Sequence, residues 1–187
     1  MALRRGLVTP TTYMEQPCRG GFRFGNRVWR CWKREGHGAL DLIGAVAHSC
    51  DVYFYQLGMQ LGLAGMLEDG IRMGFNDRSG IDLEIEIRSI YPPSTAYFDR
   101  LYGPRGWTSA VTLNLSIGQG ENSQSLINMM RFYQALAGDG VMHPPYFVAP
   151  RADARAVHLD LSPEVRHRLR RSMAAVGNAA HEAGHAL

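Results

Sequence analysis

Three cysteines and one histidine restrict the fold of this chain more than any other feature. They follow the spacing Cys18-x12-Cys31-x5-His37-x12-Cys50. Either chemistry open to them ties together distant parts of the first fifty residues. Three thiolates and an imidazole make a complete tetrahedral set for zinc, and a closed four-ligand site of that kind is structural. The alternative is a Cys18–Cys31 disulfide across a hairpin, with Cys50 as a buried free thiol. That pairing leaves an odd cysteine and gives His37 no role. Spacing alone leaves both readings open.

The rest of the composition bounds the answer. The 187 residues are 45% hydrophobic, enough for one domain with a real core, which excludes disorder, collagen and coiled coil. A net charge of +3 is too mild to argue for nucleic acid, and none is expected as a partner. No apolar run reaches the ~18 residues of a membrane span; the best, Leu57 to Leu67, is broken by Gln60. Met1-Ala2-Leu3-Arg4-Arg5 has charge but no apolar h-region behind it, so it is not a secretory signal. Among the 20 Lys and Arg residues only Lys33 is a lysine. Chemistry that needs a second catalytic lysine is therefore excluded for the chain as written.

Alternation of Phe22, Phe24 and Val28-Trp29 around Gly25-Asn26 predicts a short hairpin. Three short helices are expected next: one opened by Asp41 as N-cap, one over Val52 to Gly58, and one over Gly65 to Phe75. Residues 76 to 106 read as loops, and Leu113 to Ile117 as a strand. A helix is predicted over Ser123 to Ala137, with Leu126, Met129, Met130, Tyr133 and Leu136 on one apolar face. Pro144 to Val148 reads as an edge strand. Ser162-Pro163-Glu164 opens a last helix with cap, N1 proline and early acid; Val165, Leu169, Met173 and Val176 are its inward positions.

Ser49-Cys50-Asp51 stands at a helix junction, just before the aromatic run Val52-Tyr53-Phe54-Tyr55. A hydroxyl and a carboxylate two residues apart can share a proton relay, or can simply cap the next helix.

Several stretches, in this order, resemble a known family: Gly36-His37-Gly38-Ala39-Leu40-Asp41-Leu42, then Ser49 to Gly58, then Ser116-Ile117-Gly118-Gln119-Gly120. Gly80-Ile81-Asp82-Leu83 and Ala135 to Val141 fit the same pattern. The chain resembles the transpeptidase domain of class B penicillin-binding proteins, chiefly the penicillin-binding protein 2 branch that serves cell elongation. That resemblance implies an α/β (α+β) fold of the penicillin-binding/β-lactamase type, of which this is the helix-rich central part with an incomplete sheet. Residues 1–187 would be a partial domain: 1–36 hairpin and loops, 37–176 the helical part with the Ser-x-Asp motif, 177–187 a truncated tail.

The family is an acyl-serine enzyme that cross-links peptidoglycan stem peptides and is acylated by β-lactams. Its site combines Ser-x-x-Lys, Ser-x-Asn or Ser-x-Asp, and Lys-Thr-Gly or a close variant. Ser49-Cys50-Asp51 matches the second. By resemblance, Ser49 would pass a proton toward the leaving group, and Asp51 would orient the catalytic lysine and substrate. Zinc ligands of some elongation-type members map onto Cys18, Cys31, His37 and Cys50, which favours zinc over the disulfide. The resemblance also implies an elongation glycosyltransferase as partner and a place on the periplasmic face of the inner membrane.

The departures are large. Arg30 stands three residues before Lys33, so no Ser-x-x-Lys occurs, and no Lys-Thr-Gly occurs either. The nucleophile, its activating base and the oxyanion-side strand are missing from this sequence. The expectation is the middle of a transpeptidase domain, or alternatively a non-catalytic binding module that keeps the helices. A third possibility rests on His181-Glu182-Ala183-Gly184-His185, a His-Glu-x-x-His spacing that suits a zinc peptidase. Nothing else in the chain supports a peptidase, and the segment reads more simply as a family loop leading toward Lys-Thr-Gly.

Overall fold

The computed structural model describes residues 1–184, with side chains described through Val176. The hairpin is formed by β1 (Gly21–Phe24) and β2 (Arg27–Arg30), antiparallel with Phe22 opposite Trp29. Helix α1 (Leu42–Ala47) opens as expected: the Asp41 side chain accepts from the Gly44 N–H at 2.8 Å, which satisfies one of the free N–H groups of the first turn.

The second and third expected helices are one element, α2 (Asp51–Arg72), bent at Gly62. Gly62 sits at φ 73°, ψ 157°, a conformation that costs an L-residue steric energy and glycine none. The chain thus changes direction there without leaving the helix on either side. The half before the bend is stapled to the N-terminal segment. Tyr53 Oη donates to the Thr12 carbonyl at 2.7 Å, and Gln56 exchanges two hydrogen bonds with the Gln16 backbone, both 2.9 Å. Its buried Val52, Tyr53, Tyr55 and Leu57 form a core with Val8, Phe22, Leu42 and Leu113. The half after the bend buries Met66 and Leu67 against Tyr91, Phe98 and Leu115.

That second half also buries Asp69 completely. Arg5 Nε donates to its Oδ2 at 2.9 Å, Arg4 pairs with Oδ1, and Arg72 lies 3.8 Å away. Burial pushes the carboxyl up, but the hydrogen bonds from Arg5 and Arg4 outweigh it and hold Asp69 below the usual carboxylate range. This network closes the N-terminal segment onto α2.

Other expectations fail as well. Leu113 to Ile117 is not a strand but lies in α4 (Ala110–Ser116), which packs along α2 with Thr112, Leu113 and Leu115 buried. The supposed loop region contains α3 (Thr95–Tyr102), whose Phe98 is fully buried against Trp107. Pro144 to Val148 pairs with no strand. Instead the Phe147, Val148 and Ala149 N–H groups converge on the Asp82 carboxylate at 2.6, 2.7 and 3.1 Å. The second small sheet pairs β3 (Val141–Met142) with β4 (Val157–His158).

Helix α5 (Leu126–Ala137) starts at Ser125, whose side chain accepts from the Asn128 N–H. Four of the five residues of its predicted apolar face are exposed, Leu126 at 84% and Met130 at 51% among them, and only Leu136 is buried. What it buries is Asn128, Arg131, Ala135 and Leu136. Arg131 has no carboxylate partner among the described residues and donates to the carbonyls of Met142, His143 and Arg155 at 3.1–3.2 Å. Helix α6 (Pro163–Gly184) begins where predicted, with Ser162 Oγ accepting from the Val165 N–H. Leu169 and Met173 pack inward, whereas Val176 is exposed. The His181–His185 motif extends beyond the described residues. Among those described, no helix is long and apolar enough to cross a membrane.

Candidate functional site

The hairpin, the loop after it and the α1–α2 junction meet at one place. Cys18 and Gly38 exchange backbone hydrogen bonds of 2.8 and 3.0 Å, and the Cys31 N–H donates to the Gly20 carbonyl at 2.9 Å. The loop can pass this close only because residue 36 is glycine. It has φ +86°, and a Cβ there would lie 2.2 Å from the Cys18 carbonyl oxygen. Cys50 enters from the other side as the N-cap of α2, without a side-chain cap bond.

The result gathers Cys18, Cys31, His37 and Cys50, with one donor atom of each all within 4.8 Å of one another. The three cysteines are buried free thiols. His37 Nδ1 lies 3.6 Å from Cys18 Sγ and 3.5 Å from Cys31 Sγ. A tetrahedral zinc, with Zn–S of about 2.3 Å and Zn–N of about 2.0 Å, would hold sulfur and nitrogen about 3.6 Å apart. The donor set and its spacing therefore fit zinc.

Electrostatics in the cluster are uneven. Burial pushes the Cys50 thiol up to about 12 and also raises Cys31. At Cys18 burial acts in the same direction, but hydrogen bonds from the Gly20 and His37 backbone and from the other thiols bring it below its ordinary value. Burial and then the Lys33 charge lower His37, which keeps the imidazole neutral at neutral pH, as a metal ligand must be.

Ser49 and Asp51 flank Cys50, one on each side. Ser49 is exposed and takes φ +49°, in the left-handed region that non-glycine residues enter only at a cost of about 1–3 kcal/mol. Asp51 opens α2 but does not cap it; its Oδ2 accepts the Trp32 backbone N–H at 3.0 Å. The simple capping alternative for these two residues is thus not realised. Trp32, which carried no signal in the sequence, is 64% exposed. Its indole N–H donates to the His48 and Ser49 carbonyls at 3.0 and 3.1 Å, and its ring meets His37 edge-on at 5.1 Å. A period-based reading finds no such residue, since nothing local distinguishes it from surface tryptophan.

The ordered stretches that carry the resemblance also meet. Ser116, which opens Ser116-Ile117-Gly118-Gln119-Gly120, lies against Gly58 of α2, where a Cβ would come within 2.5 Å of the Ser116 Cβ. A family model described as the penicillin binding protein transpeptidase domain matches residues 1–186. The chain belongs to the penicillin-binding protein transpeptidase family.

Within that family the chain is 30% identical over 157 residues to peptidoglycan D,D-transpeptidase MrdA of Salmonella typhimurium, covering 83% of this chain and 25% of that protein. It spans about a quarter of the length of the curated relative. Among solved structures, Pseudomonas aeruginosa PBP2 aligns with a TM-score of 0.76 at 27% identity, over 92% of this chain and 39% of that one. Helicobacter pylori PBP2, solved in complex with MreC, aligns with a TM-score of 0.73 at 25% identity, over 90% and 30%. The transpeptidase fold accounts for the mixed helix-and-strand architecture, of which the described residues hold two small sheets of two strands each.

Proposed function

We propose that this chain is the central segment of a peptidoglycan D,D-transpeptidase of the elongation type. It supplies the second of the family's three motifs and a structural zinc site. The observation that carries the reading is the shared backbone of Ser49-Cys50-Asp51, in which the middle residue belongs to the Cys/His cluster while Ser49 stays exposed and the half-buried Asp51 accepts the Trp32 backbone N–H. In this reading Ser49 Oγ hands a proton toward the leaving group, and the Asp51 carboxylate orients the lysine and the substrate. The acyl donor is a peptidoglycan stem peptide, and β-lactams acylate the same nucleophile, a serine this sequence does not contain.

Cys18, Cys31 and Cys50 as thiolates and His37 through Nδ1 hold the zinc. A bound zinc closes the hairpin loop onto the start of α2, and with four protein ligands it is left no open position for chemistry. The elongation glycosyltransferase and an MreC-like scaffold are the partners of this reading, and the periplasmic face of the inner membrane is its location.

The test begins with the DNA on either side, read in all frames for Ser-x-x-Lys upstream and Lys-Thr-Gly downstream. The protein of the joined frame should be labelled covalently by a fluorescent penicillin, and Ser49→Ala should remove most of that labelling. The 187-residue chain alone should take up no label. Labelling of this chain that survives a denaturing gel, or flanks without either motif, rejects the proposal.

A further inference from the structure

The turn between α1 and α2 is held on both sides by one residue outside it. Trp32 lies directly after Cys31, and so follows a cluster cysteine along the chain. Its backbone N–H reaches across to Asp51 Oδ2 at 3.0 Å, and its indole N–H reaches the carbonyls of His48 and Ser49 at 3.0 and 3.1 Å. Between those contacts lies Ser49, in the left-handed backbone conformation. A serine at positive φ persists only where its surroundings over-determine it. Here the over-determination has an identifiable source. The C-terminal cap of α1 supplies part of it, with the Ser49 N–H donating to the Val46 carbonyl at 3.2 Å and the Cys50 N–H to the Ala45 carbonyl at 3.0 Å; the indole adds a bond to the His48 and Ser49 carbonyls just beyond.

We propose that Trp32 is the positioning residue of the Ser49-Cys50-Asp51 motif, a two-point clamp that fixes the Ser49 backbone and the Asp51 carboxylate relative to each other. The role rests on reading those three residues as the transpeptidase's second motif. Trp32 touches neither the nucleophile nor substrate in this structure and acts through the two residues it holds. An indole spent on core packing would be buried; this one is 64% exposed and keeps its N–H turned onto the turn's backbone.

The three tryptophans make the test self-calibrating. In the zinc-loaded chain, indole N–H exchange is followed by NMR. Trp107, whose indole donates to Asp99 Oδ1 at 2.8 Å, marks a bonded indole. Trp29, whose N–H has no partner among the described residues, marks a free one. Trp32 should group with Trp107 and exchange about tenfold more slowly than Trp29. In Trp32→Phe the Ser49 13Cα and 13Cβ shifts should move away from the parent's values, while the thiolate-to-metal charge-transfer band of the cobalt-loaded chain stays in place. Trp29→Phe should change neither.

Trp32 exchanging as fast as Trp29 overturns the proposal, and so do Ser49 shifts in Trp32→Phe identical to the parent's. If Trp32→Phe does not fold, the exchange comparison on the unaltered chain still decides. Penicillin labelling indifferent to Ser49→Ala would reject the motif reading alone, because exchange and shifts do not depend on activity.

Discussion

Cys18 and Gly38 exchange both of their backbone hydrogen bonds, at 2.8 and 3.0 Å. This single bridge brings the segment carrying the first thiol alongside the loop carrying the imidazole. His37 is thereby delivered to Cys18 by the main chain, before any metal is considered. Zinc should therefore co-purify at about one per chain, as a closed four-ligand site implies. Cys18→Ser and Cys50→Ser should each lose it, as measured by elemental analysis. An intact Cys18–Cys31 disulfide in the mass spectrum, with no metal, would reject this assignment.

Removing that zinc should also cost stability. Saturation at a thousandfold above Kd stabilises a folded state by about 4 kcal/mol, which for a chain of this size is about 10 °C in Tm. A chelator should lower the thermal midpoint by that order, and added zinc should restore it. No change on chelation would mean the four donors bind nothing.

Asp69 should make the fold acid-sensitive. Its folded pKa lies below the unfolded value of about 3.9 because Arg5 and Arg4 outweigh the burial. The stabilisation is complete above that unfolded value and is lost as pH falls through the folded one. Asp69→Asn should cost about 3 kcal/mol at pH 7, the low end for breaking a buried ion pair because the guanidiniums stay partly in water. It should also flatten the fall in thermal midpoint below pH 4. A variant that loses stability in acid as steeply as the parent would contradict the pairing.

Gly62 offers a cleaner backbone test. Nothing lies within 4 Å of a Cβ built there, so Gly62→Ala introduces no clash and only the positive φ is penalised. The expected loss is about 1–3 kcal/mol, read from urea unfolding. An unchanged midpoint would show that the bend tolerates an L-residue.

Ser49 should behave in the opposite way toward glycine. Ser49→Gly relieves the left-handed conformation while adding unfolded-state entropy, leaving stability within about 0.5 kcal/mol. Ser49→Val puts a β-branched residue at positive φ and should cost about 2 kcal/mol. Equal stability of the two variants, by calorimetry, would argue against the conformation.

Much of the site was legible because its chemistry depends on residue type. Four zinc-suited donors within 33 residues, with glycines on both sides of His37, point to one cluster whatever the intervening structure. Asp41 and Ser162 were legible for a similar local reason: a cap announces itself through a side chain three residues from the N–H it serves. The failures are tertiary. The alternation of Leu113 and Leu115 fits a strand, yet α4 is only seven residues long, too short for periodicity to separate the two. The apolar face on α5 was legible, but only its Leu136 is buried, and Ala135 and the polar Asn128 and Arg131 make up the rest of the helix's inner side. Trp32 was invisible because its partners lie 16 to 19 residues away.

The bend at Gly62 divides one rod into two levers. The arm before the joint carries Cys50 and Asp51 and leans on the thiol cluster; the arm after it carries Asp69 and leans on Arg4 and Arg5. With zinc in the cluster each arm would answer to its own anchor, the first sensitive to chelation and the second to acid. Which arm comes loose first is set by the solution the chain is placed in.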